Sequence, residues 1–135
     1  MRQPTVREFM DTVVPSLTAD VDIYEAVAFP LDSKVTGAPV LDEVGRVIGI
    51  VTEKDMLRLL TIGGVGGPRA AGTVADFMTR DPVTVTPQMN VYYAAGLFLH
   101  HDFRRLPVVS GDRDLVGAIT RFDILRAIRA RALTS

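Results

Sequence analysis

The chain has 135 residues, 47% of them hydrophobic, with 15 lysines and arginines against 16 aspartates and glutamates and no cysteine. That is the length of about one ordinary domain, and a formal net charge of −1 excludes a broad basic surface for nucleic acid or anionic lipid, so any phosphate recognition must be local. Without cysteine there is neither a disulfide framework nor a thiolate metal site, Met1-Arg2-Gln3-Pro4 lacks an apolar signal core, and no run approaches the roughly 20 apolar residues that span a bilayer; a cytoplasmic protein away from membranes is expected.

In chain order, Val6 to Met10 is predicted as a short leading helix just after Pro4, and Val13 to Thr18 as a short strand of alternating β-branched residues. Val21 to Val35 is predicted helical, but Pro30 falls inside it. An interior proline removes a hydrogen bond and costs about 3 kcal/mol, so the helix should bend or break near Phe29. Ala38 to Asp42 and Arg46 to Val51 then read as a hairpin around Glu43, Val44 and Gly45. The nearly continuous run Val47, Ile48, Gly49, Ile50, Val51 suits a strand covered on both faces, with a second helix after it.

Ile62 to Gly72 breaks every pattern and reads as a flexible connection. Its glycines lack the following Gly-Lys-Ser or Gly-Lys-Thr of a phosphate-cradling loop. The order then repeats: Val74 to Met78 as a leading helix, Val83 to Thr86 as a strand, and Val91 to Phe103 as a helix whose Val91, Ala94, Ala95, Phe98 and Leu99 form a core stripe. Leu106 to Ser110 and Asp114 to Ile119 form a hairpin around Gly111 and Asp112, and Arg121 to Arg131 an amphipathic last helix. The arginines of that last helix fit a solvated face and the carbonyl end of a helix, with contact to a partner or nucleic acid the lesser reading.

The repetition is residue by residue. Val6, Phe9, Met10, Tyr24, Pro39, Gly49, Thr52, Asp55 and Arg58 recur as Val74, Phe77, Met78, Tyr92, Pro107, Gly117, Thr120, Asp123 and Arg126, each pair 68 positions apart as Met10 and Met78 are. A period this long marks two copies of a folding unit, residues 1–68 with the glycine-rich linker at their end and residues 69–135. Either half alone would be a marginal unit, so the halves should share a core.

The chemistry concentrates in Gly49-Ile-Val-Thr52-Glu-Lys-Asp55 and its copy Gly117-Ala-Ile-Thr120-Arg-Phe-Asp123. One reading is a capping box worth about 1 kcal/mol, in which the threonine caps a helix and the acid reaches back. That does not explain a glycine three residues before the threonine in both copies, since glycine within a strand marks the close approach of another backbone or a ligand. A hydroxyl and amides at a helix start suit a phosphate, and a carboxylate one turn on suits the two hydroxyls of a ribose.

With Thr36-Gly-Ala-Pro-Val-Leu-Asp42 and Arg105-Leu-Pro-Val-Val-Ser110, these duplicated segments resemble the cystathionine-beta-synthase (CBS) domain family over nearly the whole chain. The resemblance implies an α/β (α+β) fold of two β-α-β-β-α repeats, packed through their sheets as a pseudo-two-fold pair with two nucleotide clefts. It further implies a regulatory module for AMP, ADP, ATP or S-adenosylmethionine, with no required cofactor, acting as a homodimer and signalling to an unidentified partner protein. Asp55 and Asp123 would take ribose hydroxyls and Thr52 and Thr120 phosphate or ribose oxygens. Beside Asp55 the resemblance sets Val83, Arg104, Arg105 and Leu106, and beside Asp123 it sets Pro15, Thr36, Gly37 and Ala38. Lys54 and Arg105 would supply cations to the Asp55 cleft and Arg121 to the Asp123 cleft, so the Asp55 cleft should favour phosphorylated ligands.

Other features carry less. His100 and His101 point about 100° apart on a helix, which does not suit a shared metal. Tyr92, the repeat of Tyr24, and its neighbour Tyr93 fit core or cleft packing at least as well as stacking on a base. No nucleophile and base stand in a recognisable spacing, so an enzyme is not expected; the alternative to ligand binding is an assembly or dimerisation module with empty clefts.

Overall fold

The computed structural model describes residues 3–61 and 71–134, with side chains through Arg131, so the expected glycine-rich connection lies outside the described residues from Ile62 to residue 70. In chain order the elements are α1 (Val6–Phe9), β1 (Leu17–Thr18), α2 (Ile23–Ala26), α3 (Ala28–Ser33), β2 (Gly37–Leu41), β3 (Val47–Thr52), α4 (Glu53–Leu57), a 3-10 turn (Arg58–Leu60), α5 (Val74–Phe77), β4 (Thr79–Arg80), α6 (Val91–His100), β5 (Arg105–Ser110), β6 (Asp114–Thr120) and α7 (Arg121–Thr134). They form two contact units, Pro15–Pro82 and Met1–Val14 with Val83–Ser135.

In the Pro15–Pro82 unit the sheet runs β1-β2-β3-β4, with β1 parallel to β2 and the other pairs antiparallel. Ile23, Ala26, Val40, Val51, Met56 and Val74 make its core. In the other unit the hairpin β5-β6 is flanked by single bridges, Val85 parallel to Val108 and Asp11 antiparallel to Ala118. Val85 repeats Leu17 of β1 and Asp11 repeats Thr79 of β4, so the second sheet follows the plan of the first with its edges cut to one residue. Each hairpin also carries a register shift at the same place, between Val40 and Leu41 and between Val108 and Val109.

The contact units do not follow the sequence repeats, because each repeat's leading segment folds with the other repeat. The Val6 and Arg7 amides donate to the Met89 and Pro87 carbonyls at 2.8 and 3.0 Å, while the Val74 and Ala75 amides donate to Val21 and Ala19 at 2.8 and 3.0 Å. Val6 is fully buried among Val85, Val91, Leu106 and Ile119, and Val74 among Ile23, Val40 and Val51. The expected single shared core is therefore two clusters, each completed by one valine from the other repeat.

Three other expectations shift for local reasons. The helix over Val21 to Val35 breaks at Val27 rather than Phe29, which puts Pro30 third in α3, where the first turn leaves N–H groups unpaired in any case and the missing donor costs little. The strands expected over Val13 to Thr18 and Val83 to Thr86 shrink to Leu17–Thr18 and to Val85, which alone of its segment exchanges ladder bonds, with Pro107 and Val109 at 3.0 and 2.8 Å. Leu99 is exposed, since eight residues at 100° each carry it about 80° around α6 from Val91, while Val91, Ala94 and Phe98 hold the core face.

Candidate functional site

Each Thr-x-x-Asp segment lies where a hairpin's second strand runs straight into a helix. Thr52 is the extended N-cap of α4. Its amide donates to Asp55 Oδ2 at 2.8 Å, its hydroxyl donates to the same oxygen at 3.1 Å, and the Asp55 amide returns a bond to Thr52 Oγ1 at 3.4 Å. In the other unit the Thr120 amide donates to Asp123 Oδ2 at 2.8 Å and the Asp123 amide to Thr120 Oγ1 at 3.3 Å. Both aspartates are buried. The capping box thus accounts for one oxygen of each carboxylate, and the second faces an arginine one turn on: Arg58 Nη1 stands 3.5 Å from Asp55 Oδ1, and Arg126 Nη2 donates to Asp123 Oδ1 at 2.7 Å. Neither arginine is among the expected site residues, although Asp-x-x-Arg in both copies is a helical i,i+3 ion-pair spacing.

Protein crowds both of the paired glycines. A Cβ on Gly49 would run into the Met78 sulfur and lie 2.9 Å from the Thr79 carbonyl oxygen, and one on Gly117 would lie 2.8 Å from both the Met10 sulfur and the Asp11 carbonyl oxygen. The leading segment of one repeat crosses the other's strand at its glycine. Close backbone approach, one of the two causes the sequence left open, is present at both glycines.

The remaining predicted residues divide between the units. In the Pro15–Pro82 unit, Gly37 pairs with Thr52 and Ala38 with Val51 across the hairpin, and the Thr36 carbonyl accepts the Glu53 amide at 2.8 Å. Thr36, Gly37 and Ala38 are therefore next to Thr52 within their own hairpin. Lys54 and Pro15 are exposed. In the other unit Arg105 pairs with Thr120 and Leu106 with Ile119, so this pair stands at the Thr120 end of its own hairpin. Val83, Arg104 and Arg121 are exposed, and Arg121 faces Asp102 at 3.8 Å. Arg105 is half-buried. Its Nη2 is 4.0 Å from Asp11, and its buried Nε has no hydrogen-bond partner among the described residues. At the matching place stands Gly37, where even a Cβ would sit tightly, 3.1 Å from the Val51 carbonyl oxygen.

Away from these ends, His101 stacks on Phe103 with ring centroids 4.8 Å apart. Tyr92 lines a groove of about 400 Å³ between α6 and α7, where Arg131 lies 5.4 Å from its ring centroid. Among the described residues no helix is long and apolar enough to cross a membrane.

The CBS domain profile matches residues 6–62 and 74–130, one window for each repeat, with a Gly-x-x-Thr-x-x-Asp segment towards the end of each. The chain belongs to the CBS domain family. The CBS domain-containing protein CBSX1 of Arabidopsis thaliana is 33% identical over 91% of this chain, which spans 61% of that protein's length. Among solved structures, CBSX2 of Arabidopsis thaliana in complex with AMP is 31% identical with a TM-score of 0.82, covering 96% of this chain and 98% of that one. The CBS domain pair of protein MJ0100 in complex with 5′-methylthioadenosine and S-adenosyl-L-methionine is 25% identical with a TM-score of 0.75, covering 96% and 99%. The mixed helix-and-sheet fold of two CBS repeats is thus shared with CBS pairs over almost the full chain.

Proposed function

We propose that this CBS pair is a non-catalytic regulatory module that binds an adenosine-containing ligand, AMP, ADP, ATP or S-adenosylmethionine. It works in the cytoplasm as a homodimer and passes its ligand state to a partner protein. The observation that carries the reading is the likeness over 96% of the chain to CBSX2 bound to AMP. Asp55 and Asp123 take ribose hydroxyls, for which a carboxylate's four lone-pair positions leave room beside the cap bond. Thr52 and Thr120 face phosphate or ribose oxygens, and Pro15, Thr36, Gly37, Ala38, Val83, Arg104, Arg105 and Leu106 line the clefts, with Lys54, Arg105 and Arg121 as the cations. The Arg105 Nε, buried without a partner among the described residues, supports an anionic ligand group there.

A second reading, an assembly module without ligand, is supported by the same bonds that satisfy Asp55 and Asp123 internally. Thermal unfolding with AMP, ADP, ATP, S-adenosylmethionine and GTP, on the wild type and on Asp55→Ala and Asp123→Ala, separates the two. A ligand selective for the folded state raises the midpoint by mass action, so an adenosine ligand should raise it by a few degrees and one aspartate variant should lose most of the rise. No rise with any adenosine ligand would favour assembly, and an equal rise with GTP would overturn the selectivity for adenosine.

A further inference from the structure

We propose that Arg126 is a built-in competitor for the Asp123 carboxylate, so that a ligand entering there must displace it and, in doing so, loosen α1. The proposal rests on the reading of Asp123 as a ribose-binding residue. The Asp123 side chain is 12% exposed and that of Arg126 55%, so the guanidinium is the movable partner of a buried group. One nitrogen does both jobs: Arg126 Nη2 donates to Asp123 Oδ1 at 2.7 Å and to the Phe9 carbonyl at 2.9 Å. An Nη carries two hydrogens, and each is committed to one acceptor.

Phe9 is the last residue of α1, and its carbonyl is one of those a helix end leaves without an internal partner. Arg126 therefore ties the second turn of α7 to the leading segment. A ribose diol that takes Asp123 Oδ1 draws Nη2 away from both acceptors at once. The Pro15–Pro82 unit supplies an internal control. Arg58 repeats Arg126, but it stands 3.5 Å from Asp55, beyond the 2.7–2.9 Å of a charge-assisted bond, and among the described residues it donates no hydrogen bond to Phe77, the repeat of Phe9. The Asp55 carboxylate therefore has the looser arginine contact of the two, although its side chain, 7% exposed against 12%, is the more buried.

The test uses adenosine, whose lack of phosphate removes any gain from a nearby cation. Calorimetric titration is run on the full chain as wild type, Arg58→Ala, Arg126→Ala, Arg126→Gln and Arg126→Lys, with Asp55→Ala as background to isolate the Asp123 site. Releasing a charge-assisted bond from the free state should tighten that site by on the order of tenfold in Arg126→Ala and Arg126→Gln. Arg126→Lys should gain less, and Arg58→Ala should leave the Asp123 site unchanged. Amide hydrogen exchange gives the second readout: saturating adenosine should speed exchange at Val6 and Arg7 in the wild type, whereas in Arg126→Ala exchange is already fast and adenosine adds nothing. Unchanged or weaker adenosine binding in Arg126→Ala and Arg126→Gln, with the wild type binding, overturns the competitor role alone. Adenosine binding by none of the variants, with Val6 and Arg7 still faster in Arg126→Ala, overturns the ribose reading and the competitor role with it.

Discussion

Met78 lies directly over Gly49, so closely that a single added methyl group at position 49 would meet its sulfur and the Thr79 carbonyl behind it. The Thr79 oxygen belongs to β4, which pairs with β3 at Gly49 and Ile50, so it has little freedom to withdraw. Gly49→Ala is therefore expected to cost about 1–3 kcal/mol by overpacking, and Gly117→Ala a similar amount against Met10 and Asp11. Urea unfolding of each variant measures this. Met78→Ala in the Gly49→Ala background should recover only part of the loss, because the backbone clash remains. A Gly49→Ala protein as stable as the wild type, but with impaired ligand binding, would return the glycine to the ligand.

Asp42 offers a pH test in the first hairpin. Its Oδ1 accepts the Arg46 and Val44 amides at 2.9 and 3.0 Å, and the Arg46 bond, foremost, holds its carboxyl below the ordinary aspartate value against a smaller opposing effect of burial. A carboxyl lowered on folding stabilises fully above its unfolded value and loses that contribution as pH falls through the folded value. The wild type should therefore exceed Asp42→Asn in stability at neutral pH, with the margin closing below the ordinary aspartate range. Asparagine keeps the accepting oxygen without the charge, so a margin constant from pH 7 to pH 3 in urea titrations would show that the charge plays no part.

What the sequence revealed and what it hid follow from where each interaction is encoded. The Thr-Asp boxes and the hairpins are local, and Thr52 with Asp55 was legible because the cap needs only those two residues three apart. The break falls at Val27, two residues before the expected place, because a helix that starts at Ala28 makes Pro30 a first-turn residue rather than an interior one. Gly49 and Met78 were both visible as repeated residues, yet nothing in a linear pattern says that the Met of one repeat crosses the Gly of the other. The Arg126–Phe9 bond spans 117 positions, beyond the reach of any spacing argument.

The exchange of leading segments gives the sharpest test of the fold. Val6 lies in the core with Leu106 and Ile119, and Val74 in the core with Val40 and Val51, although each belongs by sequence to the other repeat. Truncating a fully buried valine to alanine removes two methyl groups and leaves a small cavity, for about 2 kcal/mol. Val6→Ala should therefore accelerate amide exchange most in β5 and β6, and Val74→Ala most in β2 and β3, because local opening reports the stability of the unit that holds each amide. If the sequence repeats were themselves the packing units, the pattern would invert, with Val6→Ala loosening Val40 and Val51 while Leu106 and Ile119 kept their protection.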